Sequence, residues 1–423
     1  MPTINLGYGR ASLPFEFEGG RFGVLEPEAR DERPLTDGEL GAVIDDPFDS
    51  QPLEDIVSPG ESALVVVSDA TRSTGSAQVV NLLVRRLVQL GVAPHDLRII
   101  FATGIHRRVT REEKAELLSP FVVQRVRTIN HDPHDAAQHV NLGETESGTP
   151  VELNRALLEH SHVVLTGGVG FHYFAGFTGG RKSVCPGLAS ARTIEATHLR
   201  ALDFERGGRR AGVGAGRLDG NPVHEECERI AAEAAPSFLI NTVVDERGRV
   251  VRAYAGDWRG AHRLACAEYA DSHAVRIEGK RPLVVVSAGG TPHDLNLIQA
   301  HKALEMASHA CEEGGHVVLV AECADGLGRP DFLKWFDAGD SRELEGRLRE
   351  AYEVNGQTAW SLLTKAERYR VHLVSNLDED DVRRMRMSPA RSVEEALSQV
   401  PPDAPGYLLP RGAAFMPVLS AGL

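Results

Sequence analysis

Short valine- and leucine-rich runs recur along the chain, separated by segments with apolar residues at helical spacing. The first three runs cover residues 63–67, 97–101 and 163–165. Between the first two, residues 79–90 place apolar side chains every three or four positions, as an amphipathic helix does. Strands that are apolar on both faces and alternate with helices indicate parallel β-α-β units. The chain is therefore predicted to be an α/β protein.

The same alternation restarts in the second half of the chain. A hairpin is expected over residues 238–254 and a helix over 258–273. Further strands are expected at 283–286, 316–320, 371–374 and 407–409. Since 423 residues are many for a single core, we predict two domains, 1–275 and 276–423, each with a mainly parallel sheet flanked by helices. Residues 1 to about 60 are rich in Pro, Asp, Glu and Gly and indicate an irregular N-terminal region.

Charge and cysteine usage narrow the function class. A net charge of −14 argues against nucleic acid as a general partner, because no bulk positive charge is available to neutralise phosphates. The five cysteines are dispersed and include no CxxC pair, so neither a thiolate zinc module nor a disulfide framework is expected. No apolar run approaches the roughly 18 residues of a membrane span, and residues 1–7 do not resemble a secretory signal. We expect a cytoplasmic protein that is not bound to a membrane, and the net charge does not exclude a small anionic substrate held by a few local cations.

Polar side chains follow three of the predicted strands. Asp69 and Arg72 follow the first, His106 follows the second, and His172 and Lys182 follow the third. Ligands of parallel α/β sheets bind beyond the carboxyl ends of the strands. We therefore expect these side chains to converge on one site.

The third of these loops, residues 171–187, reads F-H-Y-F-A-G-F-T-G-G-R-K-S-V-C-P-G and precedes a helical pattern that carries His198. A strand, a glycine-rich turn and a helix in this order direct backbone N–H groups at an anion. The three phenylalanines indicate a packed loop, although a solvated surface loop stays open from these residues alone. The stretch departs from the GxxxxGK[ST] motif because Arg181 takes the place of its last glycine.

Four stretches, taken together, resemble the signature of the nickel-dependent lactate racemase family. They are residues 68–72 (S-D-A-T-R), residues 102–107 (A-T-G-I-H-R), residues 171–187 with His198, and residues 289–302, which contain G-G-T-P-H-D-L-N. The matches keep their order and spacing across nearly the whole chain. The resemblance implies a pyridinium mononucleotide whose two sulfur-bearing arms hold nickel, bound in a cleft between the two domains and made by separate maturation proteins.

The resemblance also implies residue roles. Lys182 would carry the cofactor through a thioamide, and His198 would complete the nickel coordination, which suits a metal that accepts planar sulfur, carbon and nitrogen donors. The mononucleotide phosphate would meet the N–H groups and charge of the glycine-rich loop. The other implied cofactor contacts are Asp69, Ala70, Thr71, Arg72, Gly179, Gly180, Arg181 and Ser183.

The implied reaction is racemisation or epimerisation of a 2-hydroxy acid. Because the C2–H is weakly acidic, its transfer as hydride to the cofactor avoids a carbanion, while a general base removes the hydroxyl proton. His106 and His172 match the two catalytic histidines of the family. The substrate would bind through Arg72, Gln299 and Lys302.

Two positions depart from the pattern of lactate-acting relatives. Ile298 replaces an aromatic residue before the glutamine, and Gln357 replaces a tryptophan beside the cofactor, with Trp360 nearby. The substrate is therefore expected to be a larger or more polar hydroxy acid, including a sugar acid, rather than lactate.

Two other classes stay open from the residues. A non-catalytic nucleotide- or phosphate-binding protein could use the same glycine-rich loop, but it would not need paired histidine bases. A metal-dependent hydrolase would need several converging protein ligands, and the sequence has no compact set at known spacing.

Overall fold

A computed structural model describes residues 1–28 and 32–420. Its strands, in chain order, are β1 Thr3–Tyr8, β2 Ala11–Glu16, β3 Phe22–Val24, β4 Ala63–Ser68, β5 Leu97–Ala102, β6 Arg127–Asn130, β7 His139–Glu144, β8 Pro150–Asn154, β9 His162–Gly168, β10 Phe171–His172, β11 Gly176–Phe177, β12 Phe238–Val244, β13 Val250–Gly256, β14 Ala274–Ile277, β15 Arg281–Ser287, β16 Cys311–Val320, β17 Arg370–Val374, β18 Ser388–Ala390, β19 Gly406–Leu409 and β20 Met416–Leu419.

The α-helices follow in the same order. They are α1 Asp37–Asp45, α2 Leu53–Ile56, α3 Ser76–Gln89, α4 Arg111–Leu117, α5 Pro120–Arg125, α6 Ala156–Glu159, α7 Ala191–Leu199, α8 Pro222–Ala232, α9 Gly260–His273, α10 Leu297–Ala310, α11 Ser341–Glu350, α12 Val354–Arg368, α13 Glu379–Arg384 and α14 Val393–Leu397. Short 3-10 helices cover Ala136–Gln138, Gly180–Ser183 and Leu333–Asp337. Within the described residues, no helix is both long and apolar enough to cross a membrane.

The described residues form two compact units. The first combines those of 1–29, 202–208 and 271–423, and the second combines those of 30–201 and 209–270. Each unit contains a six-stranded sheet, and the α/β class expected from the sequence is confirmed.

The sheet of the second unit has the order β13-β12-β9-β4-β5-β6. Its strands pair in parallel except for β12 and β13, which form the expected antiparallel hairpin. Side chains of β4 alternate between two cores: Val65 packs with Leu83 of α3 on one face, whereas Val66 packs with Ile194 of α7 on the other. Because both faces are covered, β4 is apolar from Ala63 to Val67, and burial of each valine or leucine contributes about 1.5–3 kcal/mol to stability.

The sheet of the first unit has the order β18-β17-β16-β15-β19-β3, and all neighbours pair in parallel. The four strands expected here from apolar runs are confirmed as β15, β16, β17 and β19. The N-terminal stretch is more regular than expected, because β1 and β2 form a hairpin and β3 pairs with β19. Leu6 and Phe15 of that hairpin are buried in the core of this unit.

Candidate functional site

The loops after β4 and β5 join through a carboxylate and an imidazole. His106 Nδ1 lies 2.7 Å from Asp69 Oδ2. The other oxygen, Asp69 Oδ1, accepts hydrogen bonds from the Thr71 amide at 2.8 Å and the Thr71 hydroxyl at 2.5 Å. Asp69 is buried, whereas 42% of the His106 side chain is exposed. The buried carboxylate thus fixes the His106 imidazole through its Nδ1 atom.

The charge of Asp69 is maintained by these partners. Burial by itself would raise the pKa of the Asp69 carboxyl, but the hydrogen bond and charge of His106 and the hydrogen bonds from Thr71 lower it below its usual value. An ionised Asp69 accepts a hydrogen bond from Nδ1–H of His106, so the neutral ring presents Nε2 as a lone-pair acceptor. This arrangement orients a base.

The loop of residues 171–187 gathers three predicted site residues around Phe174. The Phe174 ring lies 4.5 Å from the His172 ring and 5.0 Å from the His198 ring, measured between centroids. The Lys182 ammonium nitrogen lies 5.4 Å from the same centroid. His172 and Phe174 belong to the loop itself, and His198 approaches from α7. The convergence expected for these three residues is therefore present.

Burial and neighbouring charges lower the pKa of the amine and of one imidazole in this cluster, so that near neutral pH a large fraction of the amine and nearly all of the imidazole are uncharged. Burial, followed by the charges of Arg181 and Arg72, lowers the pKa of Lys182 to about 7. Burial and the charge of Lys182 lower the pKa of His198 to about 3. A neutral amine is a nucleophile, and a neutral imidazole is the form of histidine that binds metals.

The three loops also contact one another. The Gly104 amide in the loop after β5 donates to the Gly187 carbonyl at 2.9 Å. Arg72, in the loop after β4, is close enough to Lys182 to affect its pKa. The loops that follow β4, β5 and β9 therefore lie next to one another within this unit.

Several glycine-loop groups bond to the protein interior. The Gly180 amide donates to Asn241 Oδ1 at 3.1 Å, and the Ser183 hydroxyl donates to the Thr166 carbonyl at 3.0 Å. Arg181 is 1% exposed, and its Nη2 donates to the Ala175 carbonyl at 2.6 Å. These bonds favour a structural role for the three residues over the phosphate contact expected of the loop.

Two supporting residues escaped the sequence interpretation. Asn241 bridges the Gly180 amide and the Gly167 carbonyl, the latter at 3.1 Å from Nδ2. His262 Nε2 lies 3.2 Å from Arg181 Nη1 and receives that bond inside the core. Asn241 could have been found from the sequence, because a buried amide in the otherwise apolar strand F-L-I-N-T-V-V needs a hydrogen-bond partner. His262 lies on a long helix, where a histidine is common at the surface, so its sequence context did not indicate a buried contact.

Two glycines of this loop, Gly179 and Gly180, are required by its backbone conformation. Gly179 and Gly180 have positive φ values of 78° and 54°. A Cβ on Gly180 would lie 2.5 Å from the His262 ring, and one on Gly179 would lie 2.8 Å from Asn241 Oδ1. The glycines therefore allow the loop to pack directly on these two side chains.

The remaining predicted residues are placed as follows. Ala70 is exposed beside Asp69. Gln299 and Lys302 lie on α10 of the other unit, where Lys302 Nζ donates to Gln299 Oε1 at 2.7 Å. In that unit Gln357 is buried on α12 and accepts from the Tyr352 hydroxyl at 2.5 Å. Across residues 1–28 and 32–420, no three His, Cys, Asp or Glu side chains are grouped as a metal site.

Two family models match the chain. The lactate racemase N-terminal domain model matches residues 8–208, and the lactate racemase C-terminal domain model matches residues 278–403. The chain is 29% identical over 406 residues to the lactate racemase of Thermoanaerobacterium thermosaccharolyticum, covering 94% of each protein. It is also 29% identical over 412 residues to that of Lactiplantibacillus plantarum, covering 94% of this chain and 95% of the relative.

Solved structures share the fold. The lactate racemase apoprotein from T. thermosaccharolyticum matches with a TM-score of 0.89 and 27% identity, over 99% of this chain and all of that one (100%). A crystal structure of a Thermotoga maritima protein matches with a TM-score of 0.68 and 20% identity, over 92% of this chain and 100% of that one. The second match shows the fold alone.

Proposed function

Because the chain belongs to the lactate racemase family, we propose that it is an isomerase that interconverts the configurations of a 2-hydroxy acid at C2. The observation that best supports this proposal is the grouping of His172, Lys182 and His198 around Phe174. A non-catalytic binding protein would not need a lowered amine pKa and two imidazoles beside the amine. Inversion of a 2-hydroxy acid, rather than its binding, is therefore the property that tests the proposal.

The residues present fit a covalently attached nickel-pincer nucleotide. Lys182, with a pKa of about 7, supplies the neutral amine that attachment needs. His198, with a pKa of about 3, supplies a neutral imidazole for nickel without competition from protons near neutral pH. When bound, the group supplies a hydride acceptor for the C2 hydrogen. His198 is the proposed protein ligand of the metal.

His106 would act as the base for one enantiomer. Asp69 fixes the Nδ1–H, so Nε2 is available to take the proton from the substrate hydroxyl. The paired carboxylate also stabilises the imidazolium that forms, as in other carboxylate–histidine pairs. Asp69 is then a positioning residue in addition to its proposed cofactor contact.

His172 would serve the other enantiomer. Its Nδ1 accepts the Ala175 amide at 3.2 Å, so the neutral ring carries its proton on Nε2. In this state His172 can donate a hydrogen bond to the oxygen at C2 while His106 accepts its proton. The reverse reaction requires His172 to exchange that proton, which a half-buried side chain can do with solvent.

The substrate carboxylate needs cationic partners. Arg72 is half-buried beside Lys182 and can bind a carboxylate through two parallel hydrogen bonds. We propose that Lys302 and Gln299 share this task, with their mutual hydrogen bond orienting the amide. That they act in one interdomain site with Arg72 stays a prediction.

We further propose that the substrate is larger or more polar than lactate. Support comes from Ile298 and Gln357, the two positions that differ from lactate-acting relatives. Gln357 is smaller than the indole it replaces and is polar, and an aliphatic Ile298 leaves room that a flat ring would fill. Sugar acids fit both changes.

The test is a panel of optically pure 2-hydroxy acids offered to protein produced with maturation proteins. We expect inversion of a sugar acid or bulky hydroxy acid with a kcat/KM at least about tenfold above that for lactate, a difference of about 1.4 kcal/mol. Chiral chromatography of the product measures the rate of inversion for each acid. A preference for lactate would contradict the substrate proposal alone, whereas nickel-loaded protein that inverts no member would contradict the proposed function.

A further inference from the structure

A cavity lined by arginines lies along the segment that runs from Arg72 into the first turn of α3. Its volume is about 490 Å³, and it is lined by residues 72–78, Glu116, Leu117 and residues 247–250. Two chain segments therefore form most of it: the connection from β4 to α3 and the turn between β12 and β13. Neither has a role in the reaction above apart from Arg72.

The cavity carries an excess of positive charge. Arg72, Arg247 and Arg249 line it, against the single carboxylate of Glu116. Arg249 is partly neutralised by Asp245, with Nε to Oδ2 at 2.8 Å. Within the described part of the chain, Arg72 and Arg247 form no ion pair. The Arg247 guanidinium is thus available for a ligand, and Arg72, which is also proposed to bind the substrate carboxylate, adds positive charge at the edge of the cavity.

Uncharged donors face the same space. Ser73, Thr74 and Ser76 line the cavity, where α3 begins, and the Thr74 and Ser76 hydroxyls share a hydrogen bond of 2.7 Å, which leaves the Ser73 hydroxyl as the exposed donor. The N-cap of this 14-residue helix is Gly75, which has no side chain to cap the first turn. Free N–H groups and the helix dipole at such a position add to the attraction that the arginines exert on an anion.

The two segments are fitted closely to each other. A Cβ on Gly75, at φ +63°, would lie 2.2 Å from Val250 Cγ2, and one on Gly248, at φ +75°, would lie 2.5 Å from Ser73 Oγ. Thr242 Oγ1 also donates to the Thr74 carbonyl at 2.8 Å. The hairpin turn that carries the arginines is therefore held against the start of α3, which makes the cavity a built site.

We propose that this cavity binds a phosphate monoester. Guanidinium groups, hydroxyls and backbone amides around one space suit a tetrahedral dianion with several acceptor oxygens. A volume of about 490 Å³ exceeds a lone phosphate and leaves room for an attached sugar-sized group. No aromatic side chain lines the cavity, so it offers no stacking surface for a base.

Two sources supply such a group: the phosphate end of a mononucleotide attached at Lys182, or a separate phosphorylated metabolite. Arg72 lines the cavity, and its charge lowers the pKa of Lys182, so the first source is within the range of the site. Only the identity of the ester rests on the proposed function. The site itself can be tested on protein that carries no cofactor and with no turnover.

The test is calorimetric titration of the unloaded protein with ribose 5-phosphate and, as the matched ligand, ribose. We expect saturable binding of ribose 5-phosphate that weakens with salt, and none of ribose. The pair of changes Arg247→Ala and Arg249→Ala should lower the affinity at least about tenfold. Arg127→Ala, which removes an exposed arginine from β6, should leave it unchanged.

Equal affinity of the double variant and the unchanged protein, with both melting alike, would overturn the proposal. So would equal binding of ribose and ribose 5-phosphate. Loaded protein then separates the sources: loss of ribose 5-phosphate binding after loading assigns the site to the mononucleotide, and unchanged binding assigns it to a separate metabolite. Either result supports the site, and neither depends on whether the loaded protein inverts a hydroxy acid.

Discussion

Replacing His106 or His172 by alanine is expected to slow inversion of the hydroxy acid by about 10²–10⁴-fold in each case, the contribution of a positioned general base. Each change removes the imidazole that is proposed to take the hydroxyl proton from one enantiomer. Because inversion needs proton transfer on both faces of the carbon, loss of either histidine slows both directions. The kcat for each enantiomer, followed by chiral chromatography, measures the effect.

Cofactor loading must be followed in the same variants. Neither histidine is the proposed attachment point, so nickel content and the mass of the adduct should equal those of the unchanged protein. His95→Ala is a suitable control, since His95 also lies beside a carboxylate, with Nε2 3.3 Å from Asp96 Oδ2, but is 82% exposed. Turnover within twofold of the unchanged enzyme in either His106→Ala or His172→Ala would contradict the paired-base assignment.

Lys182→Ala is expected to abolish covalent attachment of the cofactor and to reduce inversion to the background rate. The amine that would form the thioamide is absent, and no described lysine other than Lys182 lies against Phe174. Lys182→Arg keeps the positive charge but cannot form the same bond, so it should fail in the same way. Intact-mass measurement after production with maturation proteins reports the adduct directly.

A lysine elsewhere in the same unit controls for loss of an amine. Lys114 Nζ donates to Thr128 Oγ1 at 3.0 Å, and Lys114→Ala should retain both adduct and activity. An adduct of unchanged mass in Lys182→Ala would show that another residue carries the cofactor. Peptide mapping would then identify that residue.

Much of the sheet architecture was predictable because β4, β5, β9 and β15 are buried on both faces. Short, continuously apolar runs that alternate with helical segments indicate strands whose two faces are both covered. β3 was not predictable, since three residues at the edge of a sheet acquire their structure only by pairing with β19. The buried hairpin of β1 and β2 was obscured in the same way by its Pro- and Gly-rich surroundings.

The candidate site was likewise predictable only in part. The residues at the strand ends were recognisable by type, and parallel topology brings such ends together. The Asp69–His106 pair was not predictable, because two side chains 37 positions apart meet only through the strand register and loop path. The burial of Arg181 also could not be read from the sequence, since an arginine in a polar loop normally faces water.

The central claim is that the C2 hydrogen moves as hydride within the site and not as a proton through water. Inversion of a single enantiomer in D₂O tests it most directly, with the product examined by mass spectrometry and by NMR at C2. The account predicts inverted product that retains protium at C2, because a hydride does not exchange with solvent. Inverted product that carries deuterium at C2 would contradict the account, since it would show removal of that hydrogen as a proton.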